Sequence, residues 1–494
     1  MRRDTRYIFS TCTPMPPNLR LTYQEAFLIK CSNYLNIEAT ISDLPQVREK
    51  RRYWNQIQVK DDLPYSVLLL GIDTVSQAHM HRSAPKAVKL LKDMGFVEFD
   101  SFHSVGPSTL ANFNAALMGL TIAEVLTHFR ERQFKQNRNL GQNYGLECAS
   151  TETTPEFMWR YVLRFVKKFE KTPYLFFSFN ANPFHRDTTS LHHFSTPFKN
   201  FLEKLRAHKK TMEKTIILFF TDHGDRRGLL NSDSVSSYYE RLHPALYIRL
   251  PKNLNREYHK ALASNSKKFV TPFDIHQTLL HILDLNKIKG HSETNFGGAP
   301  DARSSLLMTL RPDRTCSNTN IPREHCICNG IYPEEELLIA PSKNDSDSRA
   351  EELKLLLLHF IVQELNHKVR RSAFRDKCQE WSSSVEMIRW LRMINRNGTE
   401  HEYVISFGAT PKPARFDGRI KVTWGNGRNL TVKSLELVGI TRSNEYGRQS
   451  WCIGNVSYEG KTMREFCFCK PKNDTSKRTE QTHKINSSKL IPKL

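Results

Sequence analysis

Apolar residues along the first two thirds of the chain fall into short unbroken runs, separated by stretches in which they recur at helical spacing. This is the alternation expected of strands buried on both faces with helices packed over them. Residues 66–72 (SVLLLGI) form the first run, which stops at Asp73. Residues 174–179 (YLFFSF) and 215–220 (TIILFF) form two more, the latter leading into Thr221-Asp222-His223-Gly224, and residues 244–250 form a fourth. Between them, Ala87, Val88, Leu90, Leu91 and Met94 mark one helix, and Trp159, Tyr161, Val162, Phe165 and Val166 another. Residues 95–99 read as a further short strand and 198–207 as a helix. Gly106-Pro107-Ser108-Thr109 opens a helix marked by Leu110, Phe113, Ala116 and Leu117 that closes near Gly119. Thr271 followed by Pro272 is a helix start. The predicted fold class is α/β, with a mostly parallel central sheet flanked by helices.

After residue 310 the texture changes. Residues 342–349 read as a polar linker, 351–365 as a helix, and 403–407, 422–424 and 435–438 as strands. This predicts a smaller, Cys-containing C-terminal α+β region. The expected organisation is an N-terminal extension over 1–60, a core over 61–312, a Cys-containing, sequon-rich region over 313–470, and a basic tail over 471–494 that reads as disordered. There is no internal repeat, and no apolar run approaches the roughly 18 residues that span a bilayer.

Composition narrows the function. With 494 residues, 39% of them apolar, a sizeable core is available, which excludes a disordered chain and a small disulfide-stapled peptide. The 73 Lys and Arg outnumber the 51 Asp and Glu by 22, so anionic partners are favoured: phosphate esters, sulfated glycans, acidic lipid heads or nucleic acid. No zinc-finger spacing, aromatic RNA-binding signature or basic heptad region accompanies the charge, so no specific nucleic acid partner is expected. Seven of the ten cysteines lie from Cys316 onward. Six Asn-X-Ser/Thr sequons, at Asn344, Asn397, Asn429, Asn455, Asn473 and Asn486, share that half of the chain. Together they predict an extracellular or secretory-lumen protein. The basic start Met1-Arg-Arg-Asp-Thr-Arg6 is not followed by an apolar leader core, so the expectation is that a leader precedes this sequence. Membrane attachment is not visible in the chain.

Chemistry gathers at the strand ends. Asp73, the 180–187 segment with His185 and Asp187, and Asp222-His223 each follow an apolar run, and ligands bind beyond the C-terminal strand edges of parallel sheets. Carboxylate oxygens with imidazole nitrogen suit zinc or a similar divalent ion. Thr109, at a helix start, is a hydroxyl that a metal would turn into a nucleophile; alternatively, Ser108 or Thr109 only caps that helix.

The combination of Val67-Leu-Leu-Leu-Gly-Ile-Asp73-Thr-Val-Ser76, Arg82-x-x-Pro85, Val105-Gly-x-x-Thr109-x-x-Asn112, Thr221-Asp222-His223-Gly224-Asp225-Arg226 and Thr271-Pro-Phe-Asp-Ile-His276 resembles the alkaline-phosphatase/sulfatase superfamily. More narrowly, these motifs and Cys316–Cys328 are similar to a metazoan, nematode-expanded extracellular family catalogued as a domain of unknown function. The resemblance implies hydrolysis or transfer of phosphate or sulfate esters through a covalent intermediate. It implies Asp73, Asp222 and His223 as ligands of one metal, Thr109 as the nucleophile touching it, and a supporting, structural Asn112. Cys12-Thr-Pro-Met-Pro16 lacks the Arg of the sulfatase Cys/Ser-x-Pro-x-Arg motif and precedes the first strand, so sulfatase chemistry of that type is rejected. Two departures from the family stand out. Residues 120–156 are short, and the His-Asp pair expected after the 174–179 strand reads His185-Arg186-Asp187. His185, Asp187 and His243 are therefore candidates for a second metal or for substrate, with His192 and His193 as further substitutes. Two functions follow: a metal-dependent phosphoesterase or phosphotransferase with one or two ions and a phosphothreonine intermediate, or a catalytically inactive binding protein of the same fold that recognises glycans or acidic ligands.

Overall fold

The computed structural model describes residues 26–31, 34–57, 64–121, 124–125, 148–149, 152–185, 187–225, 234–286, 303–327, 346–411, 414–425, 431–444, 449–453 and 463–471. Asn344, Asn429, Asn455, Asn473, Asn486, Arg186, Cys328, the Cys12–Pro16 segment and the tail beyond residue 471 lie outside them.

The strands in chain order are β1 (Ala26–Cys31), β2 (Tyr34–Ala39), β3 (Ser66–Ile72), β4 (Val97–Glu98), β5 (Cys148–Ala149), β6 (Glu152–Thr153), β7 (Leu175–Asn180), β8 (Thr215–Thr221), β9 (Leu246–Arg249), β10 (Ile388–Asn397), β11 (Glu400–Ala409), β12 (Ala414–Trp424) and β13 (Val432–Arg442). The central sheet has the order β4-β9-β8-β3-β7. β3 runs parallel to both β7 and β8, as the apolar runs imply. β9 pairs antiparallel with β8, and β4 antiparallel with β9, so the sheet is mixed. A continuous apolar run reports burial on both faces and carries no direction, which is why the 244–250 run alone does not reveal its orientation.

Side chains alternate across this sheet. Leu68, Leu70, Ile72, Ile217 and Phe219 face one core with the helices Pro85–Asp93, Thr154–Lys168 and Ser195–Ala207. Val67, Leu69, Ile216, Leu218 and Phe220 face the other, beneath the helix Pro272–Leu285. The Thr154–Lys168 helix starts on a capping box, with Thr153 and Glu156 satisfying each other's backbone N–H groups. β10–β13 form a separate antiparallel meander. The buried Arg241–Asp417 ion pair, 2.8 Å, joins the loop before β9 to β12.

The chain divides into two compact units, Met1–Leu365 with Trp381–Glu445, and Asn366–Glu380 with Tyr446–Leu494. The first holds the Cys316–Cys326 disulfide. The second holds Cys378–Cys467 and Cys452–Cys469, with Lys368 over the Phe466 ring. Among the described residues no helix is long and apolar enough to cross a membrane.

Candidate metal centre

The site follows from the two-residue period of the strands. On one face of β3 the series Val67, Leu69, Gly71 continues to Asp73; on the same face of β8 the series Ile216, Leu218, Phe220 continues to Asp222. Ile72 is in register with Thr221, so the two acids stand side by side beyond the strand ends. The Thr109–Phe113 helix, which continues as a π-helical turn over Asn114–Met118, lies on this face. Its Phe113 ring packs on Phe179 at 4.6 Å and on Phe220 at 6.1 Å. Gly71 makes room for that layer, since a Cβ there would stand 2.5 Å from Phe179 Cδ2 and 2.6 Å from the Phe220 carbonyl oxygen.

Thr109 is thereby placed beside His223, its Oγ1 3.4 Å from Nε2. Ser108 occupies the N-cap position, yet no side-chain cap bond forms there. The buried Asn112 holds the loop in front of the helix instead: its Oδ1 accepts from Val105 N–H at 2.8 Å, and its Nδ2 donates to the carbonyls of Gly106 at 2.8 Å and Ser108 at 3.0 Å.

His223 is set in one tautomer. Its Nδ1 lies 2.8 Å from the Gly224 carbonyl, which can only accept, so Nδ1 carries a proton. Nε2 faces Asp222 Oδ2 at 3.2 Å and Asp73 Oδ1 at 4.0 Å. The ligand atoms of Asp73, Asp222 and His223 lie within 4.8 Å of one another, and the three residues are 4%, 1% and 2% exposed. Asp222 Oδ1 accepts the Thr74 N–H at 3.1 Å, while Oδ2 is buried and accepts no hydrogen bond. A bare buried carboxylate oxygen is costly unless an ion meets it. Two carboxylates, an imidazole anchored through its far nitrogen and a hydroxyl form a donor set that fits one divalent cation.

Two backbone features hold the site in place. Thr74 has φ +57°, a left-handed conformation costly for a β-branched residue, and this turns its N–H onto Asp222. Gly224 lies against the chain at 240–241, where a Cβ would stand 2.0 Å from the Glu240 carbonyl oxygen, and its N–H donates to the Arg241 carbonyl at 2.9 Å. The glycine of Asp-His-Gly is thus a packing requirement.

The cluster of three does not include the other candidates. Asp187 is exposed and accepts from the N–H and hydroxyl of Thr189, both at 2.9 Å, which holds its carboxyl below the usual range. His243 Nε2 bonds the Asp100 carbonyl at 2.9 Å, and burial pushes its pKa down. His185 sits in the turn after β7, its N–H on the Ala181 carbonyl. His192 and His193 are exposed in the Ser190–His193 turn of helix. Asp274 of the Thr271–His276 motif closes a capping box and accepts from Arg314 and Ser304 N–H, a structural duty. Asn397 is exposed at the end of β10.

A second polar group adjoins the cluster and was not legible in the sequence. Glu240 accepts a two-pronged contact from Arg82, at 2.7 and 2.8 Å, and the Ser76 hydroxyl at 2.7 Å. Burial alone would raise its pKa, but these donors outweigh it and hold it low. His79, buried in the next helical turn, has its pKa pushed down by burial and then by Arg82. Nothing near Glu240 in the sequence marks it as the partner of an arginine 158 positions away.

A family model described as "Protein of unknown function (DUF229)" matches residues 21–146 and 129–385. No curated protein matches the chain. Among solved structures it is similar to the C-terminal periplasmic domain of phosphoethanolamine transferase EptC from Campylobacter jejuni, at 10% identity and a TM-score of 0.33, covering 51% of this chain and 96% of that one. It is also similar to a protein in the alkaline phosphatase superfamily from Vibrio parahaemolyticus, at 9% identity and 0.34, covering 76% and 83%. A third is the lipoteichoic acid synthase LtaP from Listeria monocytogenes, at 8% and 0.33, covering 53% and 82%.

Proposed function

The chain belongs to the DUF229 family, which is defined by sequence and not by an activity, and from the residues of its site we propose that it is a metal-dependent hydrolase or transferase of phosphate esters acting through a phosphothreonine at Thr109. The observation that carries this is the meeting of Asp73, Asp222 and His223, with the Thr109 hydroxyl 3.4 Å from His223 Nε2. Asp73, Asp222, His223 and Thr109 would hold one divalent cation, zinc by the chemistry of these donors. When bound, that ion acts as a Lewis acid toward the hydroxyl and the phosphoryl oxygens.

Thr109 Oγ gives its proton to solvent and forms the bond to phosphorus, while the bond to the leaving alcohol breaks and that oxygen is protonated from water. Water, or an acceptor alcohol, then attacks the same phosphorus and frees Thr109. Asn112 keeps the loop rigid so that Thr109 Oγ1 stays beside His223. Gly224 fixes the His223 ring through its carbonyl. The disulfides and the exposed sequon at Asn397 support a secreted or lumenal glycoprotein. By the texture of its sequence the chain would divide near residues 60, 312 and 470.

The test is turnover of p-nitrophenyl phosphate mono- and diesters by the zinc-supplemented full chain, beside elemental analysis of bound metal and intact mass. Thr109→Ala should abolish turnover and the phosphorylated mass while the melting temperature holds. Undiminished turnover in folded Thr109→Ala would end the proposal. Absence of both metal and turnover in the wild type would favour the binding-protein alternative.

A further inference from the structure

We infer that the ester taken by this site carries a long apolar chain, which lies on a hydrophobic track running from Thr109 down the edge of the central sheet. The inference rests on the function proposed above. Leu110 follows the nucleophile directly and is 59% exposed. Phe113 is three residues further on the same helix, hence on the same face, and its ring meets Phe177 of β7 at 5.5 Å. Phe177 and, two residues back on the same strand face, Leu175 are 37% and 64% exposed. Among the described residues β7 ends the sheet order on this side, and these side chains share the face that carries Asp73 and Asp222. From Phe179 at the rim to Leu175 the track extends about 13 Å at roughly 3.3 Å per residue.

Scattered exposed apolar residues are ordinary; a continuous series that starts at the reacting hydroxyl is not. The series begins within one helical turn of Thr109, so a substrate whose ester group sits at Thr109 reaches it directly, and this selects the apolar part of the substrate as occupant. The net charge of +22 favours the anionic head of such an amphiphile.

The experiment uses the zinc-loaded full chain and a series of p-nitrophenyl alkyl phosphodiesters from methyl to dodecyl, all as monomers in solution. A fully buried methylene is worth about fourfold in kcat/KM and one on an open track about twofold, so kcat/KM should climb by about twofold per added carbon. Leu175→Ser and Phe177→Ser should each lower the dodecyl-to-methyl ratio by about tenfold or more. Turnover that is flat along the series, or a ratio that neither variant moves, overturns the inference while leaving the phosphoesterase reading intact. If no diester is turned over, that reading fails, and calorimetric titration with alkylphosphonates of the same lengths decides the track alone. Affinity that rises with chain length supports it, and affinity independent of length, or none, overturns it. A flat series together with a dimer that Leu175→Ser dissociates would assign the surface to a second copy of the chain and likewise overturn it.

Discussion

Replacing Asp222 by asparagine should make the metal-free protein more stable and the metal-supplied protein less so. Asp73 and Asp222 bring carboxylate oxygens within 4.8 Å of each other at a place closed to solvent. At an effective dielectric constant of about 20, two charges at that distance repel by about 3.5 kcal/mol. The Asp222→Asn substitution removes the repulsion and keeps the Thr74 N–H bond to Oδ1. It also puts an amide donor where Oδ2 now stands, 3.2 Å from His223 Nε2. In EDTA the variant should therefore gain about 1–3 kcal/mol and melt a few degrees higher. With zinc at a thousandfold excess over its Kd, the wild type should gain about 4 kcal/mol, and the variant, missing a ligand, much less. The two melting curves, recorded by differential scanning fluorimetry in EDTA and in zinc, should therefore cross in order. A wild type indifferent to zinc, or a variant less stable in EDTA, would refute the reasoning.

Three further outcomes are expected. Gly224→Ala sets a Cβ against immobile backbone, 2.0 Å from the Glu240 carbonyl oxygen; overpacking of this kind costs about 1–3 kcal/mol, and zinc affinity read by chelator competition should fall with it because His223 is displaced. Asn112→Ala removes three hydrogen bonds, two of them fully buried, and should cost about 2–3 kcal/mol, with a drop in kcat larger than any change in KM. His103 is buried with its pKa pushed down to about 4 by desolvation, below the ordinary 6.5. Between those values the unfolded chain binds a proton that the folded chain does not, so stability should fall by about 3 kcal/mol as pH drops from 6.5 to 4. Denaturation midpoints at pH 7, 5.5 and 4.5 read that slope, and a flat profile would contradict the burial.

Much of the site was legible because strands hide their neighbours and reveal their ends. The runs at 66–72 and 215–220 are continuous, so Asp73 and Asp222 had to fall at turns, and both turns open on one edge. The helix opened by Thr109 was equally plain from Leu110, Phe113 and Ala116. Sequence pattern does not carry loop trajectories. Asp187 and His243 stand near the right strand ends, but local bonds to Thr189 and Asp100 hold them elsewhere. Nor does it carry partners at long range: Arg82 stands out in its motif, but nothing pairs it with Glu240, or Arg241 with Asp417. β9 looks like its parallel neighbours because the same apolar residues serve either direction.

Because each acid terminates a same-face stripe, a slip of one residue in β3 or β8 would swing its carboxylate to the opposite side of the sheet. Only the correctly paired strands would then be able to load the ion. An ion held there as proposed above would thus check the pairing of the sheet, and the fraction of refolded chains that bind a divalent ion would count those that reached the right register.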